Sequence, residues 1–270
     1  MSRLFLGIVC CGLAVLMYIT GVLNTFEWKI FDYYSRILNP DGPATDQYVI
    51  IEIDQKSLEA ASSQFVYWPW PRQTYADVVN YLAEAEAVYI DLLFLEDSSY
   101  GVEDDVRFAK AIRAAGNVYL PLRLTNENKA GTMSSPDYWF IKNKVAYPDV
   151  EQIIVQPVFR SADLPIAVLR ESLAGAGNAT VSPDQDGVFR RVPLVASFET
   201  FVIPFFSTAD CVQSKALTIK NGQLSFLGNE VPLFDGSVLL RFYKKPHPFS
   251  TFSIIDIFNA MHDEQTGTRS

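Results

Sequence analysis

Cysteine is scarce in this 270-residue chain: Cys10 and Cys11 lie inside an uncharged apolar run, and Cys211 stands alone in the remainder. No disulfide can close within that remainder, so its stability has to come from packing. Histidine is scarcer still. His247 sits between prolines and His262 lies near the polar end, with no nucleophile motif to serve, so both read as satisfied or solvated side chains. A basic excess is also missing. The 22 Lys and Arg stand against 31 Asp and Glu, a formal charge of −9, which leaves no cationic surface for a nucleic acid. No G-x-G-x-x-G follows the first predicted strand, no phosphate-binding P-loop occurs, and there is no internal repeat. No metal or other cofactor is expected.

What the sequence does have is an uncharged run, LFLGIVCCGLAVLMYITGVL, Leu4 to Leu23. At about 1.5 Å per residue, such a helix reaches across roughly 30 Å of hydrocarbon, so residues 4–23 are predicted to be a transmembrane anchor. A cleaved signal peptide is the alternative, but the small-x-small cleavage site is absent from Tyr18-Ile19-Thr20-Gly21-Val22. Arg3 precedes the run while Glu27, Lys29 and Asp32 follow it, which assigns residues 1–3 to the cytoplasm and the bulk of the chain to the outside. Phe26, Ile30, Tyr33 or Tyr34, and Ile37 then recur at helical spacing until Asn39-Pro40-Asp41-Gly42-Pro43. This predicts a juxtamembrane helix over 24–39 that continues the span, serving either as a rod that carries motion or as an element docking its apolar face on the domain.

Residues 44–262 form the predicted extracytoplasmic domain, followed by a polar tail, 263–270. YVIIEID (Tyr48–Asp54), AVYIDLLF (Ala87–Phe94) and NVYLPLRL (Asn117–Leu124) read as buried strands. Between them, Thr74-Tyr75-Ala76-Asp77 has the capping-box pattern of a helix start, and Asp104-Asp105 open a second helix that Gly116 ends. Alternating strands and helices predict right-handed crossovers: an α/β fold, a parallel-containing mixed sheet with helices on both faces. A helix is expected from Asp163-Leu164-Pro165 to Gly175 or Gly177. An antiparallel pair is expected around the Asp-Gly turn of SPDQDG, between Asn178–Val181 and Val188–Phe198. A hairpin at Asn221-Gly222, a strand over Val238–Tyr243 and a helix from Ser253 complete the reading, and Thr125–Pro136 is a polar loop.

Ligands of open α/β sheets bind beyond the carboxyl ends of the strands, which singles out Asp54, Asp91, Glu96 and Asp97. Two carboxylates about 4 Å apart at an effective dielectric near 20 repel by roughly 4 kcal/mol, so such a cluster calls for a cation. The nearest in sequence is Arg72, which ends the stretch Trp68-Pro69-Trp70-Pro71. Prolines stiffen that stretch, and Arg72 is expected to pair with Asp54 or Asp91, as a binding site or as a structural clamp. Trp68 and Trp70 either stack on a ligand or cover a core edge. EIDQKS matches the D-x-D-x-T opening of phosphoryl-transferring hydrolases only at Asp54, since Lys56 replaces the second acid. Asp184-Gln185-Asp186-Gly187 copies half a calcium loop and reads as a turn.

Taken in order, FEWKIFDYYSRIL, VIIEIDQKSL, WPWPRQTYADVVNYL, AVYIDLLF, DDVRFAKAI, NVYLPL and GNATVSPDQDGVFRRVPL resemble the type-two CHASE domain, from about Phe26 to Phe258. The resemblance implies an extracytoplasmic sensor of a bacterial inner-membrane receptor that regulates a cytoplasmic nucleotide cyclase, diguanylate cyclase or kinase. It places recurrent polar residues at Asp54, Ser57, Arg72, Asp91, Asp186, Gly187 and Arg190. Such domains usually close with a further apolar strand and re-enter the membrane, whereas this chain ends in polar HDEQTGTRS, which reads either as truncation before the later spans and the output domain or as loss of the output. The sensor, itself without catalytic residues, would take an unknown small-molecule ligand or envelope component. Two other functions fit the residues: an anchored binding or scaffold protein of the envelope, and a metal-dependent hydrolase using Asp54 and Asp91. A homodimer suits paired spans, although no heptad pattern demands it.

Overall fold

The computed structural model describes residues 2–38, 45–63, 66–127, 133–147, 155–220, 223–233, 236–245 and 247–266. The predicted helix stop at Asn39–Pro43, residues 128–132 of the polar loop and the Asn221-Gly222 turn itself lie outside them. Helices α1 (Ser2–Ile19) and α2 (Val22–Leu38) lead to strand β1 (Val49–Glu52) and then to α3 (Gln55–Ser63) and α4 (Arg72–Tyr81). Next come β2 (Val88–Tyr89), α5 (Val102–Ala115), β3 (Val118–Thr125), α6 (Ser135–Phe140), β4 (Val158–Phe159), β5 (Ser161–Asp163), α7 (Ala167–Arg170) and β6 (Gly175–Asn178). The chain continues through β7 (Arg191–Val192), β8 (Val195–Phe198), β9 (Phe201–Pro204), α8 (Ala209–Ser214), β10 (Leu217–Lys220) and β11 (Gln223–Phe226). It then forms β12 (Asn229–Glu230), β13 (Val238–Leu239), β14 (Ser250–Ser253) and α9 (Ile254–Thr266). The fold is mixed α/β with parallel and antiparallel pairing.

Two compact units emerge: Met1–Glu52 with Pro183–Arg190 and Leu240–Phe252, and Ile53–Ser182 with Arg191–Leu239 and Ser253–Ser270. In the first, α1 stops at Ile19 instead of running on to Leu23. Thr20 donates its hydroxyl to the carbonyls of Leu16 and Met17, and Gly21 takes φ +71, a left-handed conformation that breaks the helical path. Ser2 and Arg3 are counted in the 18 residues of α1, which is about 27 Å long against a hydrocarbon core of roughly 30 Å. Among the described residues no helix is long and apolar enough to cross a membrane, so the expected uninterrupted span is not found.

Strand β1 pairs with β14 in a two-stranded sheet. It was expected beside the other early strands in one buried parallel sheet. Tyr48, Val49 and Ile50 are instead 60%, 58% and 40% exposed, so the β-branched run is an exposed edge.

The second unit is organised on β3. Its first half pairs in parallel with β2 on one side and β6 on the other, while its last three residues pair antiparallel with β5. Val118, Leu120, Leu122 and Leu124 are fully buried, and α5 adds Phe108 and Ile112 to the same core. Gly116, at φ +69, ends α5 as predicted, its N–H reaching Ile112 O. A ring cluster of Tyr75, Phe94 and Phe108, with centroids 5.3–5.9 Å apart, joins α4 to α5.

Three local expectations fail for tertiary reasons. The second predicted strand is ordered as β only at Val88–Tyr89. The helix expected to run to Gly175 or Gly177 is a single turn, α7, and the two glycines belong to β6, because a Cβ on Gly177 would stand 2.7 Å from Phe206 Cα. The turn Asp184–Gly187 does close, Gly187 having φ +82, but its flanks do not pair with each other. Asn178 belongs to β6 against β3, and β8 forms its hairpin with β9. The hairpin expected around Asn221-Gly222 is formed by β10 and β11, with Lys220 opposite Gln223.

Candidate functional site: two buried guanidinium clusters

Proline at position 71, with φ −53 and ψ 143, stands at the entry to α4 and offers no side chain to cap it. The capping box read from Thr74 to Asp77 does not form. The orphan N–H groups of Arg72 and Gln73 instead donate to Asp104 Oδ2 and Oδ1, at 2.7 and 2.8 Å, so the cap is supplied from the first turn of α5. The neighbouring carboxylate, Asp105, accepts Arg72 Nε at 3.1 Å and Ser98 N at 2.8 Å. Arg72 Nη2 also donates to Glu96 O at 2.8 Å, and its guanidinium lies 4.3 Å from the centre of the Phe94 ring. Ser98 Oγ completes the set by donating to Asp104 Oδ2 at 2.6 Å.

Arg72 therefore pairs with Asp105, not with Asp54 or Asp91. The physical reason is helix entry: two acids in the first turn of α5 face two N–H groups that Pro71 leaves without a local cap. Asp104 and Asp105 are buried, and every oxygen of both accepts a bond from Arg72, Gln73 or Ser98. The arrangement is chemically a clamp. Trp70 is buried and Trp68 half exposed, their rings edge to face at 5.9 Å, which makes the aromatic pair a cover for the start of α4. Asp91 and Asp97 are exposed and are not partners of this arginine.

Asp54 and Ser57 form a different local structure. Asp54 is the residue before α3, and its Oδ1 accepts Ser57 N at 2.8 Å, Ser57 Oγ at 2.5 Å and Ser253 Oγ at 2.9 Å. Ser57 bonds hold the Asp54 carboxyl below its usual range. Ser253 precedes α9, so the starts of α3 and α9 share one carboxylate, and the exposed pair Lys56–Asp256 adds a second tie.

The second guanidinium cluster lies in the other compact unit. Arg190 has 1% of its side chain exposed. Its Nε and Nη2 donate to the two oxygens of Asp32 on α2, both at 2.8 Å. Its Nη1 and Nη2 donate to Asp186, also at 2.8 Å, and Nη1 reaches Asp184 Oδ2 at 3.1 Å. Trp28, one turn before Asp32, places its ring 5.7 Å from the same group. The Asp184–Gly187 turn explains how two acids reach one cation, since it curls them back towards Arg190.

The Asp32 bonds, then those from Asp186, raise the arginine's affinity for its proton, while Arg190 holds the Asp186 carboxyl down to about 2. Three carboxylates thus meet one guanidinium. Their common centre is the guanidinium itself, and among the described residues no group of three His, Cys, Asp or Glu is arranged to hold a metal ion.

Asp186 and Arg190 are thus brought together, whereas Asp54 with Ser57, and Arg72 with Trp68 and Trp70, are held in separate networks. Asp32, Asp184, Asp104, Asp105, Ser98 and Ser253 were not singled out as site residues. The adjacent acids at 104–105 carried a local signal, being read as helix-start charges; Asp32 carried none, because its partner lies 158 positions away.

Neither the curated proteins nor the solved structures contain a match to the chain. A family model described as the CHASE2 domain matches residues 8–268, nearly the whole length. The turn and arginine of PDQDGVFRRVPL that carry the resemblance are the same residues that fasten α2 through Asp32. The chain belongs to the CHASE2 family of extracytoplasmic sensory domains of signalling receptors, a sensory rather than a catalytic family.

Proposed function

We propose that the chain is the stimulus-sensing part of a bacterial membrane receptor, lying outside the cytoplasm and passing its state on through α2 to a cyclase, diguanylate cyclase or kinase. The observation that carries this reading is the bidentate Arg190–Asp32 pair, because it ties a sensor turn to the helix that follows the apolar N-terminal segment. Membrane attachment belongs to the same proposal. Phe5, Leu6, Ile8, Leu13, Leu16 and Ile19 are all more than half exposed on α1, and a helix apolar all round needs an apolar surrounding.

A ligand or envelope component acts here only through a difference in affinity between two arrangements of the domain, with tenfold in the population ratio for each ~1.4 kcal/mol. An arrangement that opens the Arg190 cluster frees α2 to move; one that closes it holds the helix. The test is the output of the effector joined to this domain in its receptor. Arg190→Lys, which keeps the charge and loses the planar fork, and Asp32→Asn are expected to change basal output severalfold without loss of folded protein. Unchanged output in both variants defeats the relay. Extraction of the full chain from membranes by alkaline carbonate defeats the anchoring role of α1.

A further inference from the structure

The stripe Phe26, Ile30, Tyr33 and Ile37, expected either to belong to a rod that carries motion or to dock on the domain, is exposed. These side chains are 58%, 56%, 62% and 53% exposed, and Tyr34 beside them is 54% exposed. The inward side of α2 is the one bearing Trp28 and Asp32, bound to Arg190, and Ser35, whose Oγ accepts Phe242 N at 3.0 Å. An amphipathic helix has therefore spent its polar side on its own unit, through charge-assisted bonds, and left its apolar side exposed.

The spacing says what shape would cover it. Intervals of four, three and four residues are the alternating steps of a two-helix seam, with Phe26 and Tyr33 at one core position and Ile30 and Ile37 at the other. The charges choose the occupant's direction. In an antiparallel pair of α2 helices, Lys29 of one copy would approach Arg36 of the other, like charge on like charge. In a parallel pair, Lys29 meets Tyr34 across the seam, a cation beside an aromatic ring, and no like charges meet. The apolar α1 at the same end of each copy favours the same direction.

We propose that the outward face of α2 is the interface for a second copy of this chain, forming a parallel two-helix seam through Phe26, Ile30, Tyr33 and Ile37. The seam leaves the inward face untouched, so Asp32 and Arg190 lie behind it in each copy.

Cross-linking of the full chain in lipid nanodiscs, in a background with Cys10, Cys11 and Cys211 replaced by alanine, tests this. Single cysteines at Ile30 and Ile37 should give at least fivefold more disulfide dimer than one at Leu38, which is 72% exposed but turned off the seam. Ile30→Asp with Ile37→Asp should convert the dimer to monomer in sedimentation while the helical circular dichroism of the monomer is retained. Equal cross-linking at all three positions, or a dimer that survives the double substitution, overturns the proposal. Protection of a cysteine at position 30 from a water-soluble thiol reagent in nanodiscs holding one copy assigns the face to lipid and overturns it as well.

Discussion

Arg72, partly buried, and Arg190, fully buried, are both cations among aspartates, and they stabilise the molecule in different ways. Around Arg72 the acids are held mainly by backbone N–H groups: Asp104 takes two from the start of α4, and Asp105 takes one from Ser98. Removing the guanidinium leaves those bonds in place. Around Arg190 the carboxylates of Asp32, Asp184 and Asp186 each accept from the cation itself, and Val188 N also donates to Asp186 at 3.2 Å. Three facing carboxylates remain if it goes. The first cluster stitches elements about thirty residues apart in sequence; the second joins residues 158 positions apart.

That contrast predicts a graded set of outcomes. The largest belongs to Arg190→Ala, which removes several charge-assisted hydrogen bonds at once and should lower unfolding free energy by about 3–5 kcal/mol, measured by urea denaturation of the full chain in detergent. A loss no greater than that of Arg72→Ala would break the comparison. Acid supplies a reversible version. Because Asp186 is held near 2 in the folded state against an ordinary value of about 3.9, its contribution is complete above that value and disappears as pH falls through about 2. The acid-unfolding limb between these values should flatten in Asp186→Asn, and an identical limb would remove Asp186 from the account.

Arg72→Ala should cost about 1.5–3 kcal/mol, the scale of a hydrogen bond to a charged group, since Asp105 keeps Ser98. Asp104→Ala, which uncaps α4, should cost about 1–2 kcal/mol and lower amide protection first at Arg72 and Gln73 in hydrogen exchange. Uniform protection across α4 in that variant would show that the cap is dispensable. Lys56→Ala sets the floor. Its pair with Asp256 is 61% and 46% exposed, so the change should be below about 1 kcal/mol, and a larger one would mean that the α3–α9 tie is stronger than a surface ion pair.

Much of the core was legible because burial and helix ends leave local marks. NVYLPLRL is a continuous apolar run and became β3; Asp104-Asp105 and Gly116 bracket α5; the β10–β11 register follows from residues within one hairpin. Failures occurred where distant contact overrode local pattern. The glycines at 175 and 177 look like a helix end, yet they serve the close approach of Phe206. The Thr74–Asp77 pattern looks like a self-contained cap, yet Asp104 supplies it from another helix.

The composition and order of the residues determined the α/β class, the family, the acidic surface, and the presence of Arg72, Asp186 and Arg190 as unusual polar positions. Only the tertiary structure decided which acids meet which arginine. A carboxylate's partner depends on where the backbone brings it, and Asp32 has no neighbour in sequence that announces Arg190. The same holds for α2: periodicity marks an apolar stripe, but two charge-assisted bonds from the opposite side hold the helix to its unit and leave that stripe exposed.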